Sequence, residues 1–207
     1  MCHRDPKDRS TATPTKRSTK NTRAPTATER WTATATQPRT TRPAATKKST
    51  KTTKPAAAKT TSSSSSGYAT RSDWAKAVLA ELNAERANHG LQPLKLNSKL
   101  ASAAHAHNLA MAKANKLSHQ LNGEAALGSR VSAAGYGWSA VAENVAYNSS
   151  RSQGGVLAVQ RAMYNEKPPD DGHRRNILSK TYVDVGIDVI NDSVHGKVWL
   201  VTDFGRP

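Results

Sequence analysis

The composition of this 207-residue chain breaks near residue 70, and that break limits what can fold. Residues 1 to about 70 are built mainly from Thr, Ser, Ala, Pro, Lys and Arg, with Trp31 and Tyr68 as the only aromatic side chains. So little apolar surface cannot offset the entropy of ordering the backbone, and the segment is expected to be a disordered tail or stalk. It carries 15 basic and 3 acidic side chains against 16 and 12 in the remainder, so the basicity of the chain belongs mainly to it. Lys47 to Pro55, followed by Ser62 to Gly67, reads as an extended basic arm with a flexible joint. Such an arm is either a solvated spacer or a contact for an anionic surface or polymer. Residues 71–207 suffice for one hydrophobic core and not two.

The opening Met1-Cys2-His3-Arg4-Asp5-Pro6 has no apolar stretch of the secretory type, and no later run is long enough to cross a bilayer. Cys2 is the sole cysteine, so no intramolecular disulfide is expected.

Within the foldable part, Ser72 reads as the N-cap of a helix with Trp74, Ala77, Val78 and Leu82 on one face, closed by Gly90 after a capping His89. A second helix follows Asn97-Ser98, with Leu100, Ala103, Ala104, His107 and Met111 at helical spacing. Shorter helices are expected over about 125–134 and 156–164, the latter stopped by Pro168-Pro169. The period then changes. Val183, Val185, Ile187 and Val189 alternate with their neighbours, as do Val198, Leu200 and Thr202 after the turn residues Asn191-Asp192-Ser193. These are the two strands of an antiparallel hairpin, and with the helices they indicate an α+β domain.

Chemistry-bearing residues cluster in Ser118-His119, in Ala142-Glu143-Asn144, in Glu166 and in Gly172-His173-Arg174-Arg175-Asn176-Ile177-Leu178. Two imidazoles and two carboxylates are a set that can hold a divalent metal or a polar ligand. Their order, together with Leu82 to Arg86, Gly90 to Leu94, Gly135-Tyr136, Val185-Gly186 and the closing Trp199 to Gly205, resembles the bacterial branch of the CAP superfamily. That group comprises cysteine-rich secretory proteins, insect antigen 5 and plant pathogenesis-related proteins. The resemblance covers about 74–205 and implies a three-layer α-β-α sandwich over 71–207, of the disulfide-free bacterial type. It also implies that His119, Glu143, Glu166 and His173 face one central groove. In that groove His119 and His173 would be ligands for zinc or another divalent cation, and Glu143 or Glu166 a candidate base if the protein is an enzyme.

Other polar residues read as structural. His105 and His107 point to different helix faces, with His107 matching a packed family histidine. Asn144 is expected to fix its loop, and Arg174 and Arg175 either rim the groove or face solvent. No Gly-x-Ser-x-Gly elbow, His-Glu-x-x-His helix or phosphate-cradling glycine loop is present. Three functions remain open. The first is a secreted or envelope-associated module that binds a metal or a lipid, glycan or peptide ligand in the groove. The second is a metal-dependent hydrolase using the same groove. The third is an intracellular nucleic-acid-associated protein acting through its tail, whose binding would be steeply salt-dependent.

Overall fold

A computed structural model of the chain describes residues 67–207. The expected disordered tail therefore lies outside the described residues, except at its end. There Tyr68–Thr70 form strand β1, paired antiparallel with residues 190–192. The folded part thus reaches into the stretch assigned to the tail. A strand pairing through its backbone needs no apolar signature, which is why composition missed it.

Helix α1 (Ser72–Ala87) is followed by β2 (Lys95–Leu96), α2 (Ser98–Ala114), α3 (Leu127–Ala133) and β3 (Ala140–Asn148). Helix α4 (Gln153–Tyr164), α5 (Gly172–Ile177), β4 (Asp184–Asp192) and β5 (Lys197–Arg206) complete the chain. The sheet runs β1-β4-β5-β3, with β2 parallel to β4 on the β1 side and all other pairings antiparallel. Among the described residues strand β3 is an edge. The hairpin expected from alternation is β4–β5, and it forms the centre of the sheet.

Local chemistry sets the helix ends. Asn97 caps α2 by accepting from the N–H groups of Lys99 and Leu100, and Asn115 in the left-handed region (φ 48°) ends it. Ser72 is not a cap: it is the first residue of α1, and Arg71 before it makes no side-chain cap but pairs with Asp73. Nor does His89 cap α1. Its Nε2 meets the Tyr164 hydroxyl at 3.0 Å, tying the end of α1 to the end of α4.

Alternation along the strands decides which helices each face carries. Val185, Ile187 and Val189 of β4, Val198 and Leu200 of β5, and Ala142 and Ala146 of β3 pack on α1, α4 and α5 through Val78, Leu82, Val156, Val159, Met163 and Ile177. On the other face Val145, Ile190, Trp199 and Val201 pack on α2 through Ala104, Met111 and Ala112, and α3 extends that layer through Val131. The result is an α-β-α sandwich. Leu82, Leu100 and Trp199 are fully buried, and removal of each such side chain from water contributes roughly 1.5–3 kcal/mol.

The α2-facing side of β4 carries Asp184, Gly186, Asp188 and Asp192. A polar alternate face usually meets solvent, but here α2 covers it and each carboxylate has a donor. Asp184 accepts from the Tyr136 hydroxyl, Asp188 from Asn108, and Asp192 from Trp199 Nε1 and two backbone N–H groups. Gly186 lets α2 approach: a Cβ there would lie 2.2 Å from the backbone carbon of Leu100.

Candidate functional site

The segment after α2 is shaped by buried His107. Its Nδ1 meets Glu124 Oε1 at 2.7 Å and its Nε2 meets the Ser118 carbonyl at 2.9 Å. The ring is thus held from both sides by oxygen partners. Glu124 also accepts from the Leu121 N–H, and Gln120 Nε2 donates to the Glu124 carbonyl, which closes the loop. This loop presents His119.

His119 Nδ1 donates to Glu143 Oε1 at 2.9 Å. The other oxygen, Glu143 Oε2, accepts from Arg130 Nη2 at 2.5 Å. Arg130 projects from α3 and also donates through Nη1 to the carbonyls of His119 and Ala125, so one guanidinium fixes both members of the pair. Burial opposes ionisation of Glu143, but the hydrogen bond from His119 and the positive charges of His107 and Arg130 outweigh it. They hold the carboxyl below its ordinary value.

The second pair is built at the start of α5. Glu166, just past the end of α4, accepts from His173 Nδ1 at 2.5 Å through Oε1, and from the backbone N–H groups of His173 and Arg174 through Oε2. The glutamate thereby satisfies N-terminal donors of α5 and orients the imidazole. Arg174 is no free rim cation: it lies over the Tyr164 ring and donates to the Tyr164 carbonyl. Arg175 is exposed and pairs with Asp171.

The four expected residues therefore come together as two separate pairs, His119–Glu143 and His173–Glu166. Glu143 belongs to the strand face covered by α2 and α3, whereas its neighbour Asn144 faces α5, where it donates to the His173 carbonyl and accepts from Asn176. The pairs thus flank edge strand β3 from opposite faces of the sheet, joined through consecutive residues. In each pair Nδ1 is committed to a carboxylate, which in a neutral ring leaves the lone pair on Nε2. Both Nε2 atoms are buried and have no hydrogen-bond partner among the described residues.

A metal site can be tested against this arrangement. A histidine whose far nitrogen donates to a carboxylate, with the other nitrogen open, has the form of a metal-ligating imidazole and its supporting acid. Both oxygens of Glu143 and of Glu166 already accept hydrogen bonds. Among the described residues no group of three or more His, Cys, Asp or Glu is arranged to hold a metal ion. What the geometry offers is a separate open imidazole nitrogen in each pair, with Glu143 holding one ring and Glu166 the other in orientation.

The model of the cysteine-rich secretory protein family, CAP, matches residues 79–204, more than half of the chain. The chain belongs to this family. The CAP domain is 26% identical over 144 residues to the uncharacterized protein YkwD of Bacillus subtilis, a match that takes in 70% of this chain and 52% of that protein. The chain therefore spans about half the length of that curated relative. Among solved structures, the domain is similar to an extracellular protein containing a SCP domain from Bacillus anthracis, with TM-score 0.55 and 24% identity over 65% of this chain and 41% of the other. It is also similar to an outer surface protein of Borrelia burgdorferi, with TM-score 0.54 and 15% identity over 65% of this chain and 93% of the other. These likenesses agree on the CAP sandwich. No helix among the described residues is long and apolar enough to cross a membrane.

Three residues of the CAP site escaped the sequence reading. Arg130 and Glu124 sit in polar stretches with no motif around them, and only their hydrogen bonds give them a role. Asp203 lies opposite Glu143 in the β3–β5 register, and neither carboxylate oxygen has a hydrogen-bond partner among the described residues. Burial first, and the neighbouring Glu143 charge second, push its carboxyl well above the ordinary value. Its one sequence signal was an acidic residue between Thr202 and Phe204 in the closing strand.

Proposed function

We propose that this protein is a secreted or envelope-associated CAP-domain binding module in which His119 and His173 take a divalent cation such as zinc. The observation that carries this is the pair of buried, unpartnered Nε2 atoms, each on a ring fixed by a carboxylate. Leaving such an atom without a partner is costly, and a ligand that accepts its lone pair removes the cost. A bound cation would act as an electrophilic anchor for a polar or lipid headgroup, glycan or peptide ligand. The extracellular and outer-surface descriptions of the two solved relatives motivate the location. The basic N-terminal segment supplies an electrostatic contact to an anionic surface or polymer.

Binding is favoured over hydrolysis because a general base works best with its pKa near the operating pH, whereas Glu143 is held below its ordinary value, and both glutamates already serve as hydrogen-bond acceptors that orient other groups. Glu143 is tied to His119 and Arg130, and Glu166 to His173 and two backbone N–H groups. Titration calorimetry of the full chain with zinc, against a His119→Ala, His173→Ala double variant, tests the reading. Wild type should bind and lose affinity below about pH 6, where imidazoles protonate, and the variant should not bind. Equal affinity in the two proteins removes the site. Metal-dependent peptide or ester turnover abolished by Glu143→Gln, with the fold intact, replaces the binding module by the hydrolase.

A further inference from the structure

Helices α1 and α4 pack side by side on the same face of the sheet, and the contact between them holds a polar pair that the CAP site does not use. Glu85 of α1 is 6% exposed and Gln160 of α4 is fully buried. Gln160 Nε2 donates to Glu85 Oε2 at 2.7 Å. The other two oxygens, Glu85 Oε1 and Gln160 Oε1, are buried and have no hydrogen-bond partner among the described residues. Two unpaired acceptors, one on each member of an already bonded pair, are what remains of a carboxylic acid–amide dimer when its proton is left out.

We propose that Glu85 is held as a carboxylic acid whose Oε1–H donates to Gln160 Oε1, so that α1 and α4 are joined by two reciprocal hydrogen bonds, and that loss of this proton is a switch that loosens α4 from α1. One proton satisfies both orphaned oxygens. The ionised form satisfies neither, and sets a buried negative charge against a carbonyl-type oxygen. The charged groups around the pair are few. Glu81, one turn back on α1, repels the carboxylate, while Arg161 of α4 and Arg174 of α5 attract it. Both arginines are engaged elsewhere, Arg161 in a two-point contact with Glu81 and Arg174 on Tyr164. His89, at the end of α1, is bonded to the Tyr164 hydroxyl. Burial outweighs the hydrogen bond from Gln160 and the two arginines, which favour ionisation, and pushes the Glu85 carboxyl up to about 7, so the transition falls in the neutral range. The joint lies one turn before the end of α4, beyond which the chain reaches Glu166.

Glu85→Gln supplies the decisive comparison, because a glutamine amide can donate to Gln160 Oε1 and accept from Gln160 Nε2 without any proton to lose. The experiment uses the full chain. The carboxyl-carbon resonance of Glu85, identified by its disappearance in Glu85→Gln, is followed against pH, and thermal unfolding of both proteins is measured from pH 5 to 8. The native carboxyl should titrate with a midpoint near pH 7. A group raised in the folded state stabilises most below its unfolded value and loses that contribution as pH rises through the folded one. The native-to-unfolded ratio of wild type should therefore fall on the order of 50-fold relative to Glu85→Gln between pH 5 and 8. A midpoint at or below about pH 5, or parallel pH dependence in the two proteins, overturns the proposal. Should Glu85→Gln fail to fold, the carboxyl titration of wild type, assigned through backbone correlations, decides alone.

Discussion

Replacing Arg130 by methionine tests whether the His119–Glu143 pair is held together by one guanidinium. The side chains of Arg130 and Glu143 are only 8% and 2% exposed, and their contact at 2.5 Å is, among the described residues, the one ion pair of Glu143 with a permanent cation. Methionine fills much of the volume but leaves Glu143 charged, buried and short of a partner, and strips a charged donor from the His119 and Ala125 carbonyls. Breaking a buried pair by removing one member costs about 3–5 kcal/mol. For a domain of this size that is a fall in Tm of roughly 10–15 °C. Arg161→Met, which breaks the exposed contact to Glu81, is the control and should shift the melt far less, because solvent screens that pair. The pH dependence has a definite sign. Glu143 is depressed in the folded state, so its contribution is present above the unfolded carboxylate value and disappears as pH falls through the folded one. Without Arg130 the folded value rises, and acid destabilisation should begin at higher pH. Adding Glu143→Gln to Arg130→Met should recover part of the loss, since no buried charge then lacks a partner. Denaturant and thermal melts of the four proteins measure this. If Arg130→Met costs no more than Arg161→Met, or Glu143→Gln adds its full cost on top, the guanidinium is not what holds the pair.

Gly186→Ala should be severely destabilising, by more than about 3 kcal/mol, because the new Cβ meets the backbone of Leu100 and not a movable side-chain tip; a melt within 3 °C of wild type would show that α2 can retreat. Fragments 67–207 and 71–207 should both be prepared: the first should unfold cooperatively, and the second at a lower temperature, because its β4 loses the partners of residues 190–192. Equal melts would make β1 dispensable. Asp203→Asn should raise stability at pH 7–8 relative to wild type and lose that advantage in acid, since a carboxyl raised in the folded state costs stability as pH rises through its folded value. An unchanged difference across the pH range would mean that Asp203 is ionised in the native protein.

Periodicity and capping chemistry were enough to locate α2 and the β4–β5 hairpin, because Leu100, Ala104 and Met111 repeat with the helical turn and Val185, Ile187 and Val189 with the pleat. Family wording added the membership and the four site positions. Strand β3 was not visible as a strand: both of its faces are buried, so Val141 to Ala146 show no alternation. Which carboxylate serves which imidazole was decided only by tertiary structure. Glu166 reaches His173 across a loop, whereas Glu143 reaches His119 across 24 residues because β3 and the exit of α2 are packed on the same face. The same holds for Arg130, Glu124, Asp203 and Glu85, whose roles rest on distances between segments remote in the chain. A polar side chain carries no periodic mark of its future partner; burial removes water from it, and whichever complementary group the packed elements bring within about 3 Å becomes its function.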